Sequence, residues 1–521
     1  MTSPVKSQSG AGGASAGQPQ IAVENPATGA TIAHVDDLTA AEVTALVERA
    51  RVAQRTWAQT TLKERARLMI AWRRWLVDHR EEVVDIVVSE NGKTREDALL
   101  AELFYLVDAM GYWAKAAPKL IGEERVKAHS PLLFGRTVSV KYDPLGVVGV
   151  IAPWNYPLTL SIGDVIPALM AGNAVVVKPS EITPLATARV IEAAREVGFP
   201  EDLLLLATGT GPAGAALVDT ADMIMFTGST ATGRKVAARC GERLIPCSLE
   251  LGGKDPLIVL EDADVERAAN VAVEWSMRNS GQICLSVERA YVTAPVYDEF
   301  VERVTNQVKA LRQGVPGGRG SVDVGAITHG PQLDIIERHV DDAVSKGAKV
   351  LTGGKRGAGP GQFFEPTVLV DVDHSMACMT EETFGPTLPI MKVADEAEAI
   401  RLANDSPYGL GSSVFTKDLA RGRRVADQLN AGSTWVNDVI MSYLAVEAPM
   451  GGAKDSGLGY RHGVQGIRKY TQPHTVLIAR HVLRNDVTNF PNAKVRGSLI
   501  ALAIPLLYGR GGKQGRRRRK G

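Results

Sequence analysis

The chain has 521 residues, a formal net charge of +1 and 45% hydrophobic side chains. That length suits roughly two to four domains with sizeable cores, and the near-neutral balance excludes a global positive field that would gather nucleic acid. Its four cysteines, Cys240, Cys247, Cys284 and Cys378, fit neither a zinc spacing nor a CxxC pair, so a reducing compartment and no metal site are expected.

Residues 1–20 are rich in Ser, Gly, Ala and Gln without an apolar core, and read as a disordered leader rather than a secretory signal. Asn25 to Gly29 is a turn set by Pro26 and Gly29. Thr39 with Glu42, and Thr61 with Glu64, are capping boxes that predict helix starts. Helical spacing follows from Ala66 to His79 and again from Ala98 to Ala117, so this first part reads as a helical scaffold. Arg136 to Tyr142 alternates apolar and polar residues like a half-exposed strand able to pair with another chain.

The pattern then changes. Short apolar runs at Gly146 to Ala152, Ala174 to Lys178, Leu203 to Ala207 and Met223 to Phe226 alternate with helices at Ser161 to Ala171, Pro184 to Val197 and Pro212 to Val218. This is a parallel sheet covered on both faces, an α/β fold. Ligands bind such sheets beyond the carboxyl ends of the strands, where Pro153, Trp154, Asn155, Lys178, Glu181, Ser229 and Gly233 fall. Gly228 to Gly233 opens a helix directly after a strand, a place where backbone N–H groups can meet a phosphate; alone it reads equally well as a plain turn. The second half, Asp255 to about Lys469, mixes strands and helices again. Thr434 to Asn437 and Pro449 to Gly463 read as loops. Leu499 to Tyr508 is an apolar stretch broken by Pro505 and followed by Arg510, Lys513, Arg516 to Arg519 and Lys520. It is too short to span a bilayer, which takes about 20 residues. It reads first as a solvated tail, then as a membrane-surface contact, and last as a nucleic-acid contact.

Cys284, in Gly281-Gln282-Ile283-Cys284-Leu285-Ser286, could be a small buried hydrophobe like most free cysteines. It becomes a nucleophile candidate because Pro153-Trp154-Asn155 offers an amide and Glu250-Leu251-Gly252-Gly253 a carboxylate. Those stretches, with Lys178-Pro179-Ser180-Glu181, Phe226-Thr227-Gly228-Ser229-Thr230 and Glu382-Thr383-Phe384-Gly385-Pro386, stand in one order and spacing. From about Ile21 to Leu477 the chain resembles the aldehyde dehydrogenase superfamily. Within it, the chain is most similar to an actinobacterial-type branch that includes succinate-semialdehyde dehydrogenases.

The resemblance implies a Rossmann-type cofactor domain (21–125 and 145–252), an α/β catalytic domain (253–469) and a small β oligomerisation arm (126–144 and 470–485), followed by an apolar-basic tail (486–521). It implies a cytoplasmic homodimer or homotetramer that oxidises an aldehyde to its acid. Cys284 would attack the carbonyl, the Asn155 amide and the Cys284 N–H would hold the oxyanion, and Glu250 would be the general base. For the cofactor it implies Lys178 and Glu181 at the adenosine ribose and Ser229 at the pyrophosphate, with Trp154, Gly228, Gly233 and Leu251 nearby. Gly211 would stand near the adenosine, and Glu382 with Phe384 at the nicotinamide ribose. Glu181 favours NAD, because a carboxylate repels a 2′-phosphate, while Lys178 keeps NADP open. Two positions depart from the family: Arg461 stands where many members carry a relay glutamate, and Gly163 where succinate-semialdehyde dehydrogenases carry an arginine. With Ile283 and Leu285 flanking the nucleophile, an apolar aldehyde is as well suited as succinate semialdehyde. The alternatives are a CoA-acylating relative, against which Glu250 argues, and a non-catalytic member, which should lack the nucleophile or base.

Overall fold

The computed structural model describes residues 19–480, 490 and 494–509. The leader up to residue 18 and the basic residues from Arg510 onward lie outside the described residues. By packing, the chain divides into two compact units. One holds the described residues up to Gly122 together with Tyr142–Gln472; the other holds Glu123–Lys141 and the described residues from Pro473 onward.

The first unit begins with an antiparallel hairpin, Gln20–Asn25 on Ala30–Asp36, whose turn closes through Gly29 N–H on the Asn25 carbonyl at 2.8 Å. Helices Ala40–Trp57 and Leu62–Asp78 each start on a complete capping box, Thr39 with Glu42 and Thr61 with Glu64. Each box satisfies two N–H groups that the first turn would otherwise leave unpaired. The run expected as one helix from Ala98 is more varied. A π-helical stretch, Ala98–Phe104, leads into helix Tyr105–Leu120. The wider turn carries Glu102, fully buried, whose carboxylate accepts N–H bonds from Leu158 (3.1 Å) and Thr159 (2.8 Å) and pairs with Lys93 at 3.0 Å. A π-bulge thereby anchors the segment that follows Trp154 and Asn155.

Two sheets form the centre of this unit. The first has the order Gly457–Leu458, Cys247–Glu250, Met223–Thr227, Val147–Ile151, Ala174–Lys178, Leu204–Leu206. Its strands are parallel except Gly457–Leu458, which runs antiparallel on Glu250 and Leu249. Met223–Thr227 and Ala174–Lys178 are buried at every position, as parallel strands covered by helices on both faces must be. Their side chains join Trp72, Trp113, Leu169 and Leu217 in one core cluster. The second sheet has seven strands, in the order Lys349–Thr352, Thr367–Val370, Thr387–Val393, Arg289–Thr293, Pro256–Val259, Gly411–Phe415, Ser433–Val436. Separate core clusters lie against its two faces.

Two readings of the sequence need correction here. Thr434 to Asn437 is not a loop: Ser433–Val436 is an edge strand paired parallel to Gly411–Phe415. Trp435 is buried and Val436 packs partly against the core, although glycine and asparagine flank the strand. Pro449 to Gly463 likewise contains two short strands, Ala453–Lys454 and Gly457–Leu458.

The second unit is built on a three-stranded sheet, Thr471–Ala479, Arg136–Pro144, Glu124–Val126. It also contains helix Lys494–Tyr508. Pro505 does not break that stretch as expected. It lies inside the last turn, near enough to the end that only one upstream carbonyl loses its partner, and the Gly509 N–H still bonds the Pro505 carbonyl at 2.8 Å. Leu499, Leu502, Ile504, Leu506 and Tyr508 are all exposed. Among the described residues, no helix is long and apolar enough to cross a membrane.

Candidate active site

The nucleophile candidate sits on a tight bend. Asn279, Ser280 and Gly281 take left-handed φ values of 50°, 55° and 72° in succession. Non-glycine residues in that region are strained by about 1–3 kcal/mol each, and hydrogen bonds hold them there. Asn279 Nδ2 donates to the Asn155 carbonyl at 3.1 Å, and Ser280 Oγ donates to the Gly325 carbonyl at 2.9 Å. Gln282 Nε2 donates to the Asn279 carbonyl at 2.8 Å, while its Oε1 accepts the Thr328 N–H at 2.8 Å. Gly281 is needed twice over: its φ is positive, and a Cβ there would collide with the Gly385 carbonyl. Gly253 permits a second close approach, since a Cβ at this position would lie 2.6 Å from the Cys284 carbonyl oxygen.

The bend brings the amide and the thiol together. Asn155 is buried in the loop that follows strand Val147–Ile151, and its Nδ2 donates to the Gln282 carbonyl at 2.9 Å. The Cys284 N–H has no acceptor among the described residues. The thiol is half-buried. Burial, with Asp255 and Glu382 adding negative potential, pushes it up to about 12.

Glu250 ends strand Cys247–Glu250. Its backbone carbonyl accepts the Gly228 N–H at 3.1 Å, and its side chain is buried with neither carboxylate oxygen hydrogen-bonded within the described residues. Burial raises this carboxyl to about 7, with Arg461 and Lys469 opposing the rise and Asp164 adding to it. Glu250 and Cys284 are close enough to perturb one another electrostatically. The arrangement therefore offers a thiol, an unsatisfied backbone donor, an amide and a carboxyl poised near neutrality.

The expected cofactor residues lie along the strand ends. Lys178 ends its strand and pairs with Glu181 at 2.9 Å. Burial alone would raise Glu181, but Lys178 holds it below the usual carboxylate range. Ser229 caps helix Thr230–Arg243 by accepting the Thr232 N–H, and so marks the positive end of a helix dipole. Gly233 in that helix faces Leu251, whose Cδ2 would be 2.5 Å from an added Cβ; Gly228 faces the Phe226 ring in the same way at 2.7 Å. The Trp154 ring meets Phe384 edge-on at 5.4 Å. Glu382 accepts the Gly253 N–H at 2.9 Å and is raised to about 8, first by burial and then by Glu288. Gly211 stands apart at the start of helix Gly211–Thr220, with nothing within 4 Å of an added Cβ. These groups fit a dinucleotide: a carboxylate–lysine pair for ribose hydroxyls, a capped helix start for phosphate, and a carboxyl beside an aromatic pair at the far end.

Sequence reasoning missed the supports. Asn279 and Gln282 pin the bend; Gln282 is two residues from Cys284 in sequence, but its role depends on the distant backbone of Ala326 and Thr328. Lys254, Glu288 and Thr383 form a buried network behind Glu382. Asp164 and Lys469 gather beside Glu250 with Arg461, the departure that the sequence did single out. Gly163 is explained by its neighbour: a Cβ there would lie 3.1 Å from the Tyr105 ring, so Tyr105 occupies that space. Of the basic residues near the nucleophile in sequence, Arg289 is buried and donates to the carbonyls of Lys254, Met379 and Ala403. Arg278 pairs with Asp97 at 3.4 Å and with Glu274.

A model of the aldehyde dehydrogenase family matches residues 14–476. The chain is 43% identical over 486 residues, 92% of each chain, to a Mycolicibacterium smegmatis protein assigned as a succinate-semialdehyde dehydrogenase using NADP+. It is 37% identical over 478 residues, 90% of this chain and 88% of the other, to a 4,4′-diapolycopene aldehyde oxidase of Methylomonas. The crystal structure of a Mycobacterium tuberculosis aldehyde dehydrogenase complexed with NAD+ is similar at a TM-score of 0.84 and 36% identity, covering 89% of this chain and 95% of that one.

Proposed function

The chain belongs to the aldehyde dehydrogenase family and oxidises aldehydes with NAD(P); from that premise we propose that Cys284 is its nucleophile, Asn155 and the Cys284 N–H its oxyanion donors, and Glu250 its general base. The observation carrying this assignment is the bend at Asn279 to Gly281, which ties the Asn155 segment to the loop bearing Cys284.

A thiol held near 12 needs a base to take its proton, and a carboxyl near 7 is suited to that task at physiological pH. The Cys284 sulfur then adds to the carbonyl carbon, and the oxygen gains a negative charge that the Asn155 amide and the Cys284 N–H hold. Bound NAD(P) supplies the hydride acceptor for this adduct. Lys178 and Glu181 would hold its adenosine ribose, the Ser229 helix start its pyrophosphate, and Glu382 with Phe384 and Trp154 its nicotinamide end. Glu250, after giving the thiol proton up to solvent, takes a proton from water; the water oxygen bonds the thioester carbon, the S–C bond breaks, and Cys284 leaves as thiolate with release of the acid.

We read the substrate as an uncharged aldehyde. Ile283, Leu285, Leu160, Trp435 and Tyr156 form one apolar cluster in contact with Cys284, Tyr105 fills the space beside Gly163, and Arg278 and Arg289 have partners already. The relative named a 4,4′-diapolycopene aldehyde oxidase supports this reading. Succinate semialdehyde is the second reading, favoured by the relative at 43% identity. Glu181 argues for NAD; that same relative argues for NADP.

A homo-oligomer joined through the arm at 126–144 and 470–485 is in keeping with the exposed strand Thr471–Ala479 at the edge of its sheet. We also infer cytoplasmic enzyme with peripheral contact to an anionic membrane, from the exposed apolar helix Lys494–Tyr508 and the basic residues that follow it in sequence.

The test is a panel of succinate semialdehyde, short and long aliphatic and aromatic aldehydes with NAD+ and NADP+. Cys284→Ala should abolish turnover on all of them. Glu250→Gln should slow the first burst of reduced cofactor and lower steady turnover by about 10²–10⁴. An unchanged Cys284→Ala enzyme would refute the assignment.

A further inference from the structure

Four ionisable side chains from separate elements meet inside the first unit. Asp164 lies in helix Ile162–Met170, Arg461 precedes helix Gly463–Arg468, Lys469 caps that helix, and Glu250 ends its strand. Arg461 is buried and grips Asp164 with two bonds, Nε to Oδ1 at 3.1 Å and Nη2 to Oδ2 at 2.7 Å. The same Nη2 donates to Thr227 Oγ1 at 3.0 Å. Lys469 Nζ lies 3.8 Å from Asp164 Oδ1 and 3.5 Å from Ser248 Oγ. Tyr470 adds a hydroxyl to Asp164 at 3.5 Å.

The strand register converts these contacts into a position relative to Glu250. Thr227 is the direct partner of Glu250 across the parallel pair, so Arg461 approaches from the neighbouring strand. Ser248 is two residues before Glu250 and projects from the same face of its strand, so Lys469 approaches from below. Arg461, Lys469 and Asp164 face the Glu250 carboxyl, and Cys284, Tyr443 and Tyr470 are near enough to feel its charge. His462 lies one layer out. Burial first, then Arg461, lowers it to about 3, so it is uncharged, and it meets the Tyr105 hydroxyl at 2.7 Å.

Charge counting then points one way. Two cations and one anion leave a buried excess of one positive charge, and buried charge is costly unless compensated. Glu250 as carboxylate supplies the compensation; as neutral acid it does not. Arg461, a guanidinium, cannot pass protons, so it does not stand in for a relay carboxylate. We propose that Arg461 and Lys469, locked on Asp164, are positioning residues that keep Glu250 ionised beside Cys284 and so set the pH below which the thioester ceases to hydrolyse. This rests on Glu250 being the base.

The test uses two substitutions of opposite sign. In the full-length enzyme with hexanal and NAD+, Lys469→Met should move the acid limb of the turnover–pH profile up by about one unit, and Lys469→Arg should restore it. Asp164→Asn, which leaves both cations without their anion, should move the limb down. Infrared difference titration of the apoenzyme, with Glu250→Gln as the reference that removes the Glu250 carboxyl band, reads the same shifts without turnover and decides for any inactive variant. Either folded variant suffices: a limb and band that stay in place, or move in the same direction for both, overturn the proposal. If Glu250→Gln turns over like the parent, the base assignment fails instead, and the infrared titration still reports on the cluster.

Discussion

The Asn155 amide has two tasks. One N–H holds the Gln282 carbonyl at 2.9 Å, fixing the loop before Cys284, and the other is available to an oxyanion. Asn155→Ala should therefore cost kcat about 10²–10³ with little change in KM, read from burst and steady-state rates. Glu181 poses a different question, because Lys178 pairs with it at 2.9 Å. Removing the carboxylate frees Lys178 and takes away the repulsion against a 2′-phosphate. Glu181→Ala should move the ratio of kcat/KM values for NADP+ over NAD+ up by about tenfold or more, measured with one aldehyde under identical conditions. Cys284, Asn155 and Glu250 were legible in the sequence because each stands in a short stretch whose glycines or prolines restrict the backbone. Asp164 and Lys469 gave no such sign; each is an ordinary charged residue in a helical run until folding brings partners from far along the chain.

The three left-handed residues before Cys284 are an element in their own right. They aim the thiol, and the Gly385 carbonyl closes over the third. Gly281→Ala should destabilise the protein by about 2 kcal/mol or more, since it adds both strain and a collision. Chemical denaturation would measure that loss, and reaction of Cys284 with a thiol reagent would report its displacement. Among regular elements, the parallel strands and capped helices were readable because their burial pattern is local: a short apolar run between turn residues can hardly be anything else. The Ser433–Val436 strand was not, because it is only four residues long and its strand character comes from pairing with Gly411–Phe415. The π-helical stretch at Ala98–Phe104 was equally hidden. Its apolar periodicity is close to that of an α-helix, and the reason for the wider turn, Glu102 reaching the segment after Asn155, is tertiary.

At the scale of the molecule, helix Lys494–Tyr508 joins no apolar cluster among the described residues, and its leucines and isoleucines are exposed. A protein truncated after Arg480 should lose sedimentation with vesicles rich in anionic phospholipid while retaining turnover of short aldehydes. If the full chain fails to sediment with such vesicles at low salt, the membrane reading is refuted. The overall α/β architecture was visible from the alternation of strands and helices, but the closure of its cofactor sheet was not. That closure depends on Gly457–Leu458, two residues in a glycine-rich run with no strand signal.

That late strand bears on the order in which the protein is made. The sheet carrying Glu250 is complete only when Gly457–Leu458 pairs with Leu249 and Glu250, and Asp164 gains its guanidinium partner only from a residue 297 positions downstream. A ribosome that has released the first half of the chain has therefore exposed every strand of the parallel core but neither its edge nor the cations beside the base. Until the C-terminal segment emerges, Asp164 lacks the guanidinium that pairs with it in the finished fold. Stalling or premature termination before residue 457 should accordingly yield protein recognised by quality-control proteases rather than a half-active enzyme. Aldehyde chemistry thus begins only once synthesis is almost finished.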